Sequence, residues 1–350
     1  MIAELPAPPA MRHRTTEGTT EGATKHAMRT HARVPRSGGA LRGRCWRRVF
    51  VLLAAAAAMS TAPAAADWAD GRDAAVAGRL PTVVSTNLCA DLFALGLADS
   101  AQLLSVSARS QDGRVSPLAL RARDYPANGG SAEEIVALRP DVVLASRRWQ
   151  ARHQAELFAR HGIRVVVVPF PLDWPEIFAA TRRVGAEIGR ADAAEALLAD
   201  VAERLARLDA RRAARAGNVQ AVPSALYLRP NGGSAGARTY VDAVFVAAGV
   251  RNHAAEAGQV GWGRFPLERL VTNPPDVFVI GDAVRETGYA RSSYVRHAVA
   301  RRLLESRPVV TLDAQRWGCS NWLLVEAAEA IADQVDAVLA APAQLAERLR

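Results

Sequence analysis

A serine inside a glycine-rich motif is the first residue whose setting could support covalent chemistry. Gly232–Gly236 fits the pattern G-x-S-x-G, with Ser234 at its centre. In α/β-hydrolases this motif forms a sharp turn between a strand and a helix, and acidic residues and then His297 follow here in the chain order of that class. However, Arg229–Asn231 separates the predicted strand from the motif, so we do not expect this turn to form. A secreted serine hydrolase that uses Ser234 is the alternative interpretation.

The histidines are not spaced as the ligands of a metal ion. Beyond the first 66 residues they are scattered through predicted helices and loops, as His153, His161, His253 and His297. Protein zinc sites need closely spaced sets of His and Cys ligands. The sequence also contains neither a P-loop nor a dinucleotide-binding fingerprint. We therefore predict no resident metal and no cofactor.

Large planar and basic side chains recur directly after predicted strands. In parallel α/β sheets the loops beyond the carboxyl ends of the strands line the ligand crevice. Aromatic faces there would cover the apolar parts of a large flat ligand, and guanidinium groups would bind its anionic parts. For each arginine the alternative is a solvated surface position, and for Trp322 core packing is preferred. The candidate ligand-binding residues are Arg109, Arg148, Trp149, Trp174, Arg238, Tyr240, Trp262, Arg264 and Trp317. The same pattern includes Arg147, Arg229, Arg285, Tyr289 and Arg316.

The elements that must position these residues include a stretch that occurs twice. Gly130–Ser146 (GSAEEIVALRPDVVLAS) and Phe265–Gly281 (FPLERLVTNPPDVFVIG) share a glutamate, an apolar pair, a proline and Asp-Val. Each copy predicts a short helix and then a buried parallel strand, with the helix ending before the proline because proline lacks the N–H that a helix needs. A repeat at this spacing predicts two similar lobes.

Predicted strands and helices alternate around both copies, as is typical of parallel α/β lobes. Between them, apolar residues recur at helical spacing from about Asp192 to Arg215. A helix of that length spans roughly 35 Å and could join two lobes as a rigid strut. We therefore divide the chain into an N-terminal extension with a signal peptide (1–66), a first lobe (81–183), a connecting long helix (184–217) and a second lobe with a terminal helix (218–350).

The N-terminal extension has the layout of a cleavable secretory signal peptide. Arg42–Arg48 is basic, Val49–Met59 is apolar and uncharged, and Ala64–Ala66 offers a small-residue cleavage site. The apolar run is too short to span a membrane. Arg47–Phe50 also resembles the twin-arginine export signal. The sequence therefore predicts an exported protein.

The net charge of +9 does not indicate a nucleic-acid surface, because most of it lies in the extension. Residues 1–66 hold ten Lys or Arg and three Asp or Glu, and subtracting these from 44 and 35 leaves 34 and 32, a net charge of +2. No long basic run marks the remainder of the chain. We predict that the protein does not bind nucleic acid.

Two cysteines, Cys89 and Cys319, follow the predicted cleavage site. An exported compartment permits a disulfide. The two residues lie in different predicted lobes and can pair only if the fold brings their Cα atoms within about 7 Å. Two small buried thiols are the alternative.

The residues described above carry a family resemblance. Pro81–Leu97 (PTVVSTNLCADLFALGL) and the two copies of the repeat, the second extended back to Gly261, look like the periplasmic substrate-binding proteins of ABC importers for iron–siderophore complexes, haem and cobalamin. The resemblance covers the chain from about residue 81 to its end. It implies an α/β fold of two Rossmann-like lobes with parallel sheets joined by a single long α-helix, and a binding protein without catalysis.

The resemblance also implies partners and a ligand class. A protein of this kind is expected to be a periplasmic monomer that captures a metal chelate between its lobes and delivers it to the permease dimer of an ABC transporter. Val260–Trp262 is similar to the cobalamin-binding member, whereas Arg147–Trp149 departs from that member's pattern. The excess of arginines over aromatic residues in the predicted crevice favours an anionic ferric chelate or haem.

Two glutamates occupy the same position in the two repeat copies. In the family, one glutamate at the tip of each lobe docks onto arginines of the permease, and Glu133 and Glu268 match those positions. Ser131 and Glu134 are spaced as a capping box, which gives Glu134 a structural role and leaves Glu133 without one. The alternative is that Glu133 and Glu268 only complement their helix dipoles.

Overall fold

The computed structural model describes residues 79–153, 155–216, 222–281, 294 and 297–348. The predicted N-terminal extension and signal peptide lie outside these residues, as do Arg285 and Tyr289. Within them, two α/β lobes with parallel sheets are joined by a long helix, which confirms the predicted fold class.

The first lobe is built on a sheet whose described strands are all parallel. They are β1 (Val83–Ser85), β2 (Leu103–Ser107), β3 (Ala127–Asn128), β4 (Val142–Ala145) and β5 (Arg164–Val167). Their order in the sheet is β3-β2-β1-β4-β5. Val83 and Val84 of the central strand are fully buried in separate apolar clusters, since successive side chains point to opposite faces. Both faces of the sheet are therefore covered, as is usual for parallel sheets.

The helices of the first lobe follow and connect these strands. They are α1 (Leu88–Leu97), α2 (Ala119–Ala122), α3 (Ala132–Leu138), α4 (Arg147–Gln150), α5 (Ala155–Arg160) and α6 (Trp174–Glu187). The side chain of Asn87 caps α1 by accepting a hydrogen bond from the amide of Ala90. The polar segment 109–130 contains α2 and β3, which are too short to leave a periodic signal in the sequence.

The second lobe repeats this plan and adds a small ribbon. Its elements are β6 (Ser224–Tyr227), β7 (Gly233–Ala235), α8 (Tyr240–Ala247), β8 (Arg251–Asn252), α9 (His253–Glu256), β9 (Trp262–Arg264), α10 (Leu267–Thr272), β10 (Val277–Gly281), α11 (Ala298–Ser306), β11 (Val309–Leu312) and α12 (Leu324–Arg348). The parallel sheet has the order β11-β10-β6-β8, and β7 pairs antiparallel with β9. The glycine-rich motif at Gly232–Gly236 contains β7.

The aspartate of each repeat copy pins two neighbouring strands together. In the first lobe, one Asp141 oxygen accepts hydrogen bonds from the Thr82 amide at 2.7 Å and the Thr82 hydroxyl at 2.8 Å. In the second lobe, Asp276 accepts the same two bonds from Ser224, both at 2.8 Å. Hydrogen bonds to a charged group contribute about 1.5–3 kcal/mol each. The shared Asp-Val therefore fixes how the repeat's strand enters each sheet.

The predicted long helix is confirmed as α7 (Ala191–Ala216), and it is held against the terminal helix α12. Arg204 donates to Glu329 at 2.9 Å, and Arg211 donates to Asp333 and Asp336, each at 2.6 Å. Several partly exposed ion pairs along one seam restrict sliding between helices more than any single pair would. The long helix is thereby fastened to the second lobe along much of its length.

The segment before α12 crosses to the first lobe and is fastened there. Cys319 forms a disulfide with Cys89 of α1, and their Cα atoms lie 5.4 Å apart. The Ser320 hydroxyl donates to the Pro171 carbonyl oxygen at 2.5 Å. Trp322 packs against apolar residues of both lobes, and a β-carbon at Gly96 would come within 2.8 Å of its ring. We call residues 313–323 the strap; it is a second connection between the lobes besides α7.

Candidate ligand-binding site

Three aromatic side chains meet where the two lobes adjoin. The ring centroid of Phe170, which follows β5 of the first lobe, lies 5.9 Å from that of Tyr240 in the second lobe. The Tyr240 ring lies 5.5 Å from that of Trp262, on β9. Phe170 is 58% exposed and Trp262 is 43% exposed. Large apolar rings left this open to water are typical of a surface that binds a partner or ligand. We call Phe170, Tyr240 and Trp262 the aromatic wall.

Two further aromatic residues support the wall from below. The Trp317 ring lies 5.2 Å from Tyr227, and the Tyr240 hydroxyl donates to the Trp317 carbonyl oxygen at 3.1 Å. Burial raises the pKa of Tyr227, and the nearby Arg229 guanidinium offsets only part of that rise. Burial likewise raises the pKa of Tyr240, with the Tyr227 hydroxyl adding to the rise. Both hydroxyls therefore stay neutral at physiological pH.

A pocket of about 420 Å³ opens beside the wall, within the second lobe. It lies on the β7–β9 ribbon, in which Ser234 is paired with Gly263. The Arg229 amide donates to the Gly233 carbonyl oxygen at 2.8 Å, so the chain turns tightly before β7. Trp262 belongs to both the pocket and the aromatic wall, which makes the two surfaces continuous. The lining residues are Arg229, Asn231, Gly233, Ser234, Trp262, Gly263 and Arg264.

Arg264 is held in place by an aromatic ring behind the pocket. Its guanidinium carbon lies 5.6 Å from the centroid of the Tyr294 ring, a cation–π contact. The Tyr294 hydroxyl donates to the Phe265 carbonyl oxygen at 2.9 Å. Burial raises the pKa of Tyr294 to about 12, with Arg264 opposing the rise. At Gly232, where φ is +79°, a β-carbon would lie 2.5 Å from the Tyr294 ring, so glycine is required at that position.

Among the predicted ligand-binding residues, Tyr240, Trp262, Arg264 and Trp317 are brought together in the second lobe. Trp317 is only 5% exposed, so it supports the wall from beneath. Trp174 is half-buried and its indole N–H donates to the Ala243 carbonyl oxygen at 3.2 Å, a contact between the lobes. Arg109, Arg148 and Arg238 are exposed.

The structure places Trp149 in the core of the first lobe rather than at the crevice, which corrects its prediction as a ligand-binding residue. The side chain is 3% exposed, and its indole N–H donates to the Gly130 carbonyl oxygen at 2.7 Å. Its ring stacks on His153 at 4.1 Å between centroids. Since α4 begins directly after β4, its third residue turns inward under the loop before α3.

The sequence interpretation missed Phe170 and Tyr294 and did not select Arg229. Arg229 follows β6 directly and satisfies the same loop criterion as the selected residues. Phe170 lies just beyond the end of β5 at Val167 and so also satisfies that criterion. Nothing in the sequence links Tyr294 to Gly232 or Arg264, which are 62 and 30 positions away along the chain.

The nucleophile elbow considered for Ser234 is not formed. Ser234 lies inside β7, in an antiparallel ribbon, and not on a turn from a parallel strand to a helix. His297, the histidine that follows in hydrolase order, is exposed, and its Nδ1 accepts a hydrogen bond from the Val299 amide at 3.4 Å at the start of α11. The hydrolase interpretation therefore has no geometric support around this serine. In the part of the chain that the structure describes, no group of His, Cys, Asp or Glu is arranged to hold a metal ion, and no helix could cross a membrane.

Glu133 and Glu268 occupy equivalent positions, each the second residue of its helix, α3 or α10. Both are exposed, and neither forms an ion pair with another described residue. The Ser131 hydroxyl accepts from the Glu134 amide at 3.2 Å, whereas the Glu134 carboxylate accepts from the Gly129 amide at 2.9 Å. Glu134 thus has a capping role, although its partner is Gly129 instead of the Ser131 amide of a standard capping box.

A sequence profile of the periplasmic binding protein family matches residues 83–306. A search of curated proteins finds no match. Among solved structures, the periplasmic haem-binding protein RhuT from Roseiflexus sp. RS-1 in its apo form is similar, with 22% identity and a TM-score of 0.55 over 73% of this chain and 99% of RhuT. The periplasmic haem-binding protein HutB of Vibrio cholerae matches with 18% identity and a TM-score of 0.59 over 73% of this chain and 98% of HutB. A periplasmic haem-binding protein from Pseudomonas aeruginosa matches with 22% identity and a TM-score of 0.52 over 73% and 92%.

Proposed function

Because the chain belongs to the periplasmic binding protein family, we propose that it captures haem, or a closely similar iron tetrapyrrole, between its two lobes and delivers it to the permease of an ABC transporter. The observation that carries this proposal is the aromatic wall. One of its rings comes from the first lobe and two from the second, so a ligand on it touches both lobes at once.

The chemistry of the wall favours a broad, flat and largely apolar ligand. Phe170 and Trp262 leave large apolar surfaces open to water, and covering such surface is favourable at roughly 25 cal/mol per Å². Aromatic rings also stack on other planar π-systems, which adds about 0.5–1.5 kcal/mol for a well-placed pair. A tetrapyrrole offers a face of that kind, whereas a hydroxamate siderophore offers mostly polar groups.

The named neighbours point to the same ligand class. The three neighbours named above are haem-binding proteins, and the fold they share with this chain spans nearly their whole length. Identities of 18–22% support the fold and leave the ligand to be argued from this chain's own residues. A corrinoid and a ferric siderophore are the next candidates, in that order, because a corrin is also a tetrapyrrole ring.

A haem titration of the purified protein tests the proposal. Haem should saturate at one or a few equivalents, shift the Soret band and quench tryptophan fluorescence. Trp262→Ala and Phe170→Ala should each weaken binding about tenfold, because each removes an aromatic contact of about 1.4 kcal/mol. Leu120→Ala, which also removes an exposed apolar side chain but lies on α2, is the matched control and should bind as wild type does. No saturable response to haem would contradict the proposal.

Delivery is proposed to use Glu133 and Glu268 as contacts to the permease. Each lies in the first turn of a short helix, one helix on each lobe, and each carboxylate is exposed. Opposite charges at two separated points orient a complex and speed its formation more than they increase its affinity. We also propose that the protein is exported by the predicted signal peptide and acts as a monomer.

A further inference from the structure

Ser234 is one of the residues that line the pocket beside the aromatic wall, and its buried hydroxyl has no hydrogen-bond partner among the described residues. Ser234 is 1% exposed. Its carbonyl oxygen is satisfied, since the Gln259 side chain donates to it at 3.2 Å. A buried hydroxyl left unpaired is costly, so native structures usually supply a partner. The pocket is the direction from which a ligand could supply one.

Two guanidinium groups line the same pocket. Neither Arg229 nor Arg264 forms an ion pair with another described residue, so both keep donors for an anion. Arg264 is braced by the Tyr294 ring at 5.6 Å, and Gly232 makes room for that ring. An arginine held on a ring loses less side-chain entropy when it binds, because its orientation is already restricted.

We propose that Arg229, Ser234 and Arg264 form an oxyanion subsite that binds a carboxylate of the ligand, and that this subsite makes the protein select tetrapyrroles that carry free carboxylates over neutral ones. The inference rests on the proposed function, since the carboxylate bound by the subsite belongs to the proposed tetrapyrrole ligand. Trp262 is the shared boundary: the ring of the tetrapyrrole lies on the aromatic wall, and a carboxylate at its edge reaches the pocket. Guanidinium groups match a carboxylate with paired N–H donors, and the serine hydroxyl adds a third.

Tyr294 is a positioning residue in this arrangement, since it acts through Arg264. Its hydroxyl is anchored to the Phe265 carbonyl oxygen, and its ring supports the guanidinium group. Tyr294→Phe keeps the ring and should keep most of the selectivity for carboxylates. Tyr294→Leu removes the cation–π contact and should lose selectivity to an extent similar to Arg264→Gln.

The experiment compares haem with haem dimethyl ester, which has the same ring but no free carboxylate. Wild type should bind haem at least tenfold more tightly than the ester. Arg264→Gln should reduce this preference to about one, and Ser234→Ala should reduce it several-fold, each with unchanged affinity for the ester. Arg160→Gln is the control, because Arg160 ends α5 just before β5 begins, at the edge of the first sheet opposite the crevice.

Equal binding of haem and its ester by wild type would overturn the subsite while leaving the proposed function intact. So would variants that lose affinity for both ligands in parallel, since that is the result of a merely structural change. If neither tetrapyrrole binds, the proposed function fails, and a titration with citrate then decides on the subsite. Saturable quenching of Trp262 fluorescence by citrate that is lost in Ser234→Ala would support it, and the absence of any response would overturn it.

Discussion

Asp91 is the residue whose titration should be most visible in the stability of the protein. It is fully buried on α1 and accepts hydrogen bonds from the Ser85 and Ser107 hydroxyls and, at 3.0 Å, from the Ser107 amide. These serines end β1 and β2, so one carboxyl group joins two strands and a helix. Burial raises its pKa from 3.8 to about 6, even though the serine hydrogen bonds oppose the rise.

This shift predicts a loss of stability between about pH 4 and pH 6. The folded protein holds the Asp91 proton more tightly than the unfolded chain does, so raising the pH through this window penalises the folded state, and above about pH 6 the penalty is complete. Its size is on the order of 3 kcal/mol. Urea unfolding of wild type and Asp91→Asn at pH 4, 5, 6 and 7 gives the free energy of unfolding of each protein against pH. The penalty is the difference between these two pH profiles. Parallel profiles would show that Asp91 does not titrate in this range.

Single residues also show what the sequence could and could not predict. Trp262 and Arg264, both selected from the sequence, line one pocket, although they lie on β9 of an antiparallel ribbon and not in a loop after a parallel strand. Trp149 does follow a parallel strand yet is buried, because that position places the backbone and does not give the direction of a side chain. Tyr294 was missed since its role depends on packing against Gly232, a contact that no local pattern encodes.

At the level of elements, the strap ties together lobes that would otherwise be joined mainly by α7. It crosses from the second lobe to α1 and is fastened by the disulfide, by Ser320 and by the packing of Trp322. The sequence placed Cys89 and Cys319 in different lobes and left their pairing open. The sequence could not predict that Trp322 packs against Gly96, because this contact depends on how the lobes meet.

Removing the disulfide should lower the stability of the protein and change its fold little. The bond closes a loop of 230 residues, and in the chain-entropy account a loop of this length corresponds to about 5 kcal/mol. Cys89→Ser with Cys319→Ser should therefore melt well below oxidised wild type and close to reduced wild type. Thiol titration of unfolded wild type before and after reduction should differ by two groups. Equal thiol counts would rule the bond out.

At the scale of the whole molecule, each lobe carries one exposed glutamate at the same position of its repeat copy. Glu133 and Glu268 arise from the two copies of one repeat, and each copy also carries the aspartate that fixes its strand in the sheet. The repeat therefore serves the fold through Asp141 and Asp276, and we propose that it serves docking through the glutamates. The sequence was sufficient for the two-lobed architecture because the repeat and the long helix are both periodic signals.

Glu133→Ala combined with Glu268→Ala should leave haem affinity and melting temperature nearly unchanged, because both side chains are exposed and unpaired among the described residues. Transport into reconstituted vesicles and the transporter's stimulated ATP hydrolysis should fall several-fold, because the charges that orient the complex are lost. Glu156→Ala with Glu305→Ala makes the same change in charge elsewhere on the two lobes and is the control. If the Glu133→Ala, Glu268→Ala variant imports ligand at the wild-type rate, the two glutamates only complement their helix dipoles and the docking proposal fails.

The most direct test of ligand capture is native mass spectrometry of the protein after incubation with equimolar haem, cobalamin and a ferric hydroxamate siderophore. Because the aromatic wall and the arginine-lined pocket are continuous through Trp262, the account predicts a dominant haem adduct. The adduct should diminish in Trp262→Ala and persist in the control Leu120→Ala. A dominant cobalamin or siderophore adduct, or protein that stays free of all three, would contradict the account.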